Sequence, residues 1–286
     1  MVGELLDKNI VPILIGGSHD LTYGQYQGYR SRDHLVNLVN VDERIDLGEV
    51  DEKQEMDASN FLLSILVEQP NFLFNYSQIG YQTYFVEPKA IETLDQLSFD
   101  CYRLGEVRHN IEDIEPIVRD ADLLSVDMSA IRCSDMPGIY YPSPHGFFGE
   151  EACQIAWYAG LSDKLSSFGC YEGNPYYDQR GVSAQLMAHM IWYFVHGFYN
   201  RKQDQPLDDD QNYLKFFVDL DGLDHQLIFY KSKKSGRWWM VLPDSSEVKR
   251  RKYTPPKLIP CSYKDYEAAC REEFPDRWLR AYHKLV

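Results

Sequence analysis

The stretch ILIGGSHDLTYGQYQGY, from Ile13 to Tyr29, carries the reading of the fold. Three branched apolar residues run into Gly16 and Gly17, and the polar cluster Ser18, His19 and Asp20 follows at once. A short apolar run closed by glycines reads as a buried strand, and LTYGQYQGYRSR after it reads as a helix. A histidine at the mouth of such a strand is either a core residue with a satisfied ring or a ligand aimed into a site. What else arrives beside it decides between the two.

The same alternation continues to about Phe198. VPILIGG, LVNLVNVD, FLFNYSQIGYQ, DLLSVDMS and KLSSFGCYE read as strands. ASNFLLSILVEQ, EPKAIETLDQL, GEVRHNIEDIEPIVRDA, GEEACQIAWYAGLS and SAQLMAHMIWYFVHGFYNR read as helices between and after them. Strand and helix repeated in this way predict an α/β fold of three layers, a mostly parallel sheet with helices on both faces. Ligands of such sheets bind outside the carboxyl ends of the strands. That rule places Gly16 to Asp20, Asp42 to Asp46, Asp127 to Ser129 and Tyr171 to Asp178 along one edge.

Residues 1–200 therefore form one α/β domain, and RKQDQPLDDDQN opens a charged linker over residues 201–211. Beyond it, in residues 212–286, the period changes to alternation. YLKFFVDLDGLDHQLIFYKSKKSGRWWMVLP, with an Asp-Gly turn and then a Ser-Gly turn, predicts an antiparallel meander. The tail is helical, with Ser262 as an N-cap and Pro275 dividing it. At the other end, MVGELLDKN reads as the last turns of a helix feeding the first strand. A fold that opens inside a crossover is expected to have further elements upstream. A sheet lacking them would leave an edge or face open, which predicts a homo-oligomer or a protein partner.

Composition narrows the function classes. At 286 residues and 44% hydrophobic the chain can bury a large core. Its 44 acidic against 29 basic residues leave a net charge of −15, which argues against nucleic-acid and anionic-membrane partners. The basic runs KSKKSGR and KRRK read as solvated turns. No apolar run approaches the roughly 20 residues of a spanning helix, and no signal-peptide core opens the chain. The six cysteines are scattered without metal spacing and read as small core residues of a reduced, cytoplasmic protein.

His19, Asp42, Asp46 and Asp127 each lie just past a strand, facing one crevice. One imidazole and three carboxylates make a hard, mainly oxygen donor set that suits Mn²⁺ or Mg²⁺. Each has an ordinary alternative: a structural histidine, and aspartates that cap turns. Their conjunction at strand ends is worth more than any member alone.

The stretch from Gly16 to Gly28 resembles the first signature of the ureohydrolases (arginase, agmatinase, formimidoylglutamase), with His19, Leu21, Thr22 and Gly24 at the expected steps. SVDMSAIRCSDMPGIYYPSPHG resembles the third, keeping Ser125, Asp127, Pro137, Gly138 and Gly146. NLVNVDERID stands where the family has an apolar run ending in Asp-Ala-His-x-Asp, and YEGNPYYD resembles its Glu-x-Asn-Pro segment. The resemblance covers residues 1–200. It implies a parallel α/β fold, two manganese ions that activate a bridging water, and hydrolysis of a guanidino or formimino C–N bond. It assigns one metal to His19, Asp42, Asp46 and Asp127, and the cationic head of the ligand to Glu172.

The departures bear on activity. The second metal would share Asp42 and Asp127 and add a His and an Asp, where this chain has Arg44 and Ser129. Arginine stays protonated and cannot ligate, and serine replaces a carboxylate poorly. Loss of a divalent cation is balanced by loss of one carboxylate and gain of one guanidinium. Arg44 is thus expected to lie between Asp42 and Asp127 as a plug. No histidine occurs between His34 and His109 to serve as a proton shuttle, and Asn60 cannot relay protons. Three functions follow. The first is a ureohydrolase-family protein with one Mn²⁺ at most, impaired in catalysis and acting in binding or assembly. The second is a mononuclear hydrolase of a guanidino or formimino bond. The third is a metal-free sensor of a small cationic ligand.

Overall fold

The computed structural model describes residues 1–30, 35–48, 55–206, 210–220, 226–243 and 257–284. They fall into two compact units, Met1–Asn200 and Arg201–Val286.

The first unit opens with α1 (Val2–Asp7) and β1 (Ile13–Ile15), then α2 (Leu21–Arg30) and β2 (Val36–Val41). There follow α3 (Phe61–Val67), β3 (Leu73–Tyr81), α4 (Pro88–Gln96) and β4 (Asp100–Arg103). Next come α5 (Leu104–His109), α6 (Glu115–Arg119), β5 (Leu123–Asp127), α7 (Gly149–Leu161), β6 (Ser167–Tyr171) and α8 (Val182–Tyr199). The six strands form one sheet in the order β1-β6-β5-β2-β3-β4, and every neighbouring pair is parallel. The central strands β2, β5 and β6 are buried along their whole length. Burial on both faces is why they read as continuous apolar runs.

All five expected strands form, and β4 is an addition. Its sequence DCYR carries no apolar run, and it pairs as an edge strand of β3. The expected single helix over residues 105–121 is instead three short pieces, α5, a 3-10 turn at Ile111–Ile114 and α6. Pro116 has no N–H to continue a helix through that point, and it takes the first turn of α6. The two long helices α7 and α8 cross where Gly160 faces Gly197. A Cβ on Gly160 would stand 2.1 Å from the Phe194 carbonyl oxygen, so only glycine lets the backbones approach this closely.

The second unit is a four-stranded antiparallel sheet of order β10-β9-β8-β7. It is built from β7 (Tyr213–Val218), β8 (Leu227–Ser232), β9 (Trp238–Val241) and β10 (Leu258–Cys261), followed by α9 (Tyr263–Cys270) and α10 (Asp276–His283). The Ser-Gly turn lies between β8 and β9, with Gly236 at φ +76°. The Asp-Gly turn and the KRRK run lie outside the described residues. Ser262 caps α9 in a reciprocal box with Asp265. Asp204, in the segment expected to be a charged linker, is buried and accepts a hydrogen bond from Ser235. The cysteines are all free, but they are not uniformly core. Cys153, Cys170 and Cys261 are buried, while Cys270 is exposed. No helix among the described residues is long and apolar enough to cross a membrane.

Candidate metal centre and its cleft

The strand order locates the site. From β2 the chain proceeds outward to β3 and β4, whereas from β5 it proceeds the other way to β6. Helices leave these two adjacent strands in opposite directions, which opens a crevice at their carboxyl ends. Asp42 follows β2 directly and Asp127 ends β5.

His19 reaches this point from β1. Gly16 and Gly17 take φ values of +80° and +81°, a backbone conformation that side chains rarely allow, and turn the chain back over the sheet edge. The Gly16 N–H donates to the Cys170 carbonyl on β6, and the Glu172 N–H donates to the Gly17 carbonyl, each 2.8–2.9 Å. The imidazole is fully buried. Its Nε2 lies 2.9 Å from Ser125 Oγ, which is in turn 2.6 Å from Thr22 Oγ1. Phe61 and Tyr171 flank the ring at 4.7 and 5.7 Å. These contacts fix the ring with Nδ1 facing three carboxylates.

Nδ1 lies 3.2 Å from Asp42 Oδ2, 3.2 Å from Asp46 Oδ2 and 3.3 Å from Asp127 Oδ2. None of these approaches is aligned as a hydrogen bond. His19 Nδ1, Asp42 Oδ2 and Asp46 Oδ2 are buried polar atoms without a partner. Donors about 2.1 Å from a common cation and at right angles stand about 3 Å apart, the spacing observed here. Donor atoms of His19, Asp42 and Asp46 all lie within 4.8 Å of one another, and Asp127 approaches the same nitrogen beside them. Orphaned donors, hard oxygen chemistry and spacing all fit one divalent cation.

The electrostatics fit as well. Burial opposes charging of His19, but the carboxylates around it more than offset this and hold its pKa well above the ordinary value. Burial and repulsion from Asp46 and Asp127 push the Asp42 carboxyl up, with His19 working the other way. The four groups crowd charge in a dry place, and a cation relieves that crowding.

The aspartates also carry the bland role. Asp42 Oδ1 accepts from the Arg44 N–H at 2.9 Å, and Asp127 Oδ1 accepts from the Ser129 N–H at 2.7 Å. Each carboxylate caps its own turn with one oxygen and faces His19 with the other.

A cleft of about 500 Å³ opens beside the cluster, lined among others by Glu43, Asp46, Asp127, Tyr140, Tyr141 and Glu172. Glu172 sits at φ +64°, unusual for a residue with a side chain, and its Oε1 accepts from the His19 N–H at 2.8 Å. Burial raises its pKa, although the His19 N–H opposes the rise. Glu43 was not among the residues expected from sequence. It is buried, and burial pushes its carboxyl up to about 7 despite the neighbouring Arg44. The signal lay in VDERID, where a third acid stands between the two expected ligands. Asn60 is occupied structurally, accepting from the Asp57 N–H and donating to the Glu55 carbonyl.

The arginase family model matches residues 1–197. The chain belongs to the arginase family. It is 26% identical over 204 residues to a formimidoylglutamase of Lysinibacillus sphaericus, covering 67% of this chain and 62% of that protein. It is 29% identical over 189 residues to a formimidoylglutamase of Staphylococcus aureus, covering 64% and 60%. The chain thus spans about three fifths of the length of these relatives. Among solved structures, a Trypanosoma cruzi formiminoglutamase with Mn²⁺ superposes with a TM-score of 0.64 at 22% identity, covering 70% of this chain and 69% of that one. A Thermoplasma volcanium agmatine ureohydrolase gives 0.56 at 22% identity, covering 70% and 67%.

Arg44 and Ser129 stand where the arginase-family resemblance places the second metal's own ligands. The expected plug is not formed. Arg44 turns away from the aspartates, with its guanidinium 4.4 Å over the Phe85 ring and its Nε 3.8 Å from Glu43 Oε1. Its side chain is 48% exposed. Stacking on an aromatic face and access to water outweigh burial between two carboxylates, where desolvating the guanidinium is costly.

Proposed function

We propose that this arginase-family chain binds one divalent cation, most simply Mn²⁺, at His19, Asp42, Asp46 and Asp127. In this reading it binds a guanidino or formimino ligand beside the metal and hydrolyses it weakly or not at all. The observation that carries the reading is the set of orphaned donors around His19 Nδ1, the one such group of possible metal ligands among the described residues. The second ion's own ligands would fall at Arg44 and Ser129, and neither a guanidinium nor a hydroxyl replaces an imidazole and a carboxylate there. The bound cation would lower the pKa of a water and polarise the amidine carbon, though without the clamp that two ions provide. The chain's own residues supply the rest. Ser125 and Thr22 hold the imidazole, Glu172 faces the cationic end of the ligand, and Tyr140 and Tyr141 wall the cleft.

The test is elemental stoichiometry of purified protein together with turnover on arginine, agmatine and N-formimino-L-glutamate. We expect at most one manganese per chain and turnover well below the common enzyme range of about 1–10³ s⁻¹. The paired change Arg44→His with Ser129→Asp should raise stoichiometry toward two. Two tightly held ions in the unaltered protein would overturn the reading.

A mononuclear hydrolase is the second reading. It is favoured by Glu43, a buried carboxyl with pKa about 7 in the cleft wall, suited to proton transfer near neutral pH. Saturable turnover of one of the three substrates that disappears in Asp46→Asn would establish it.

A further inference from the structure

The cleft lining holds four acidic side chains, Glu43, Asp46, Asp127 and Glu172, and Arg44 is the one cationic side chain among its lining residues. Arg44 springs from a pinned backbone. Its N–H donates to Asp42 Oδ1 at 2.9 Å, and its carbonyl accepts from Gln78 Nε2 at 2.7 Å. The guanidinium carbon then stands 4.4 Å from the centre of the Phe85 ring, and the side chain is 48% exposed. Its one recorded ion contact among the described residues runs from Nε to Glu43 at 3.8 Å, too long for a hydrogen bond. The two terminal amino groups, which form the fork that grips a carboxylate, take no part in it.

We propose that Arg44 is the anion-recognition residue of this cleft, selecting amidine ligands that also carry a carboxylate. The inference rests on the amidine-binding reading above and adds to it a specificity determinant. The amidine end meets the acids, Tyr140 and Tyr141 line the apolar stem, and the carboxylate meets the guanidinium fork. A residue unable to serve as a metal ligand thereby gains a use in the same pocket.

Arginine and agmatine differ only in the carboxylate, so their ratio of dissociation constants reads Arg44 directly. Calorimetric titration of the Mn²⁺-loaded protein should show arginine binding about tenfold to a hundredfold tighter, the value of a charge-assisted pair. In Arg44→Met, which keeps the stem and loses the charge, the ratio should fall to about one. In Arg44→Lys, which keeps the charge and loses the fork, it should be intermediate. Unequal binding that survives Arg44→Met overturns the proposal, and so does equal binding to the unaltered protein. If neither ligand binds while Mn²⁺ alone still titrates, the amidine reading falls with it and the metal site stands. Binding of both without preference removes only the role of Arg44.

Discussion

His19 shows how much depends on the far side of one ring. Its Nε2 contact comes from Ser125, 106 residues away in sequence, and this contact turns Nδ1 toward the acids. Partners of this kind orient metal ligands and typically contribute about 10–100-fold in affinity. Ser125→Ala should therefore weaken Mn²⁺ binding by about that factor. The loss of one buried hydrogen bond should cost only about 1–2 kcal/mol of stability. Calorimetry with Mn²⁺ and chemical unfolding of the metal-free protein separate the two effects, and unchanged Mn²⁺ affinity would remove Ser125 from the site. The resemblance singled out all four proposed ligands, and the structure brings them together. It did not foretell that Asp42 and Asp127 each divide their oxygens between a turn and the cluster. That division depends on χ angles, which neither spacing nor periodicity encodes.

Between elements, two contacts govern how the layers lock. The first is the α7–α8 crossing at Gly160 and Gly197, whose added Cβ atoms would stand 2.1 Å from Phe194 O and 2.6 Å from Trp157 O. Gly160→Val must push the helices apart, and we expect a loss of about 1–3 kcal/mol or more, read as a lower urea midpoint. Unaltered stability would show that the helices separate freely. The second is a clamp at the amino ends of the strands. Lys164 Nζ donates to the Asp120 carbonyl at 2.6 Å and lies 3.3 Å from both Asp120 Oδ1 and Asp122 Oδ2. Asp122 Oδ2 also accepts from the Asn37 N–H that begins the ladder of β2. Burial lowers the Lys164 pKa, but the two aspartates outweigh it and hold it above its ordinary 10.5. A pKa raised on folding gives stability that is fully present below the unfolded value and is lost as pH rises through the folded one. Unfolding free energy should thus decline above about pH 10.5, and the slope should flatten in Lys164→Met. An identical slope in that variant would exclude the clamp as its source. Sequence showed α7 and α8 as helices, because the 3.6 period is local. It missed β4, because an edge strand needs no apolar alternation once β3 offers a free ladder.

For the whole molecule, metal binding and stability are one measurement. An ion that binds only the folded state at about 100 times its dissociation constant adds about 2.7 kcal/mol. For a domain near 200 residues that corresponds to a rise of about 5–10 °C in Tm. Adding Mn²⁺ to chelator-stripped protein should produce this shift, and Asp46→Asn should abolish it. A Tm indifferent to Mn²⁺ across the millimolar range would contradict the proposed metal site. The net charge of −15 adds an ionic-strength dependence, since an acidic surface concentrates cations and salt screens it. Raising salt should therefore reduce the apparent Mn²⁺ affinity.

By itself the sequence determined the parallel α/β order and the carboxyl edge along which His19, Asp42, Asp46 and Asp127 fall, and the family resemblance grouped those four residues. Strand order is a property of burial along the chain, and burial leaves a period that one dimension can carry. Only the tertiary structure decided the rest. It turned Arg44 out over Phe85 and away from the aspartates, brought Glu43 into the cleft wall, and met the His19 ring with Ser125. Each outcome is a competition among neighbours that are adjacent only after folding, and in each the better-solvated or better-paired side chain position prevails.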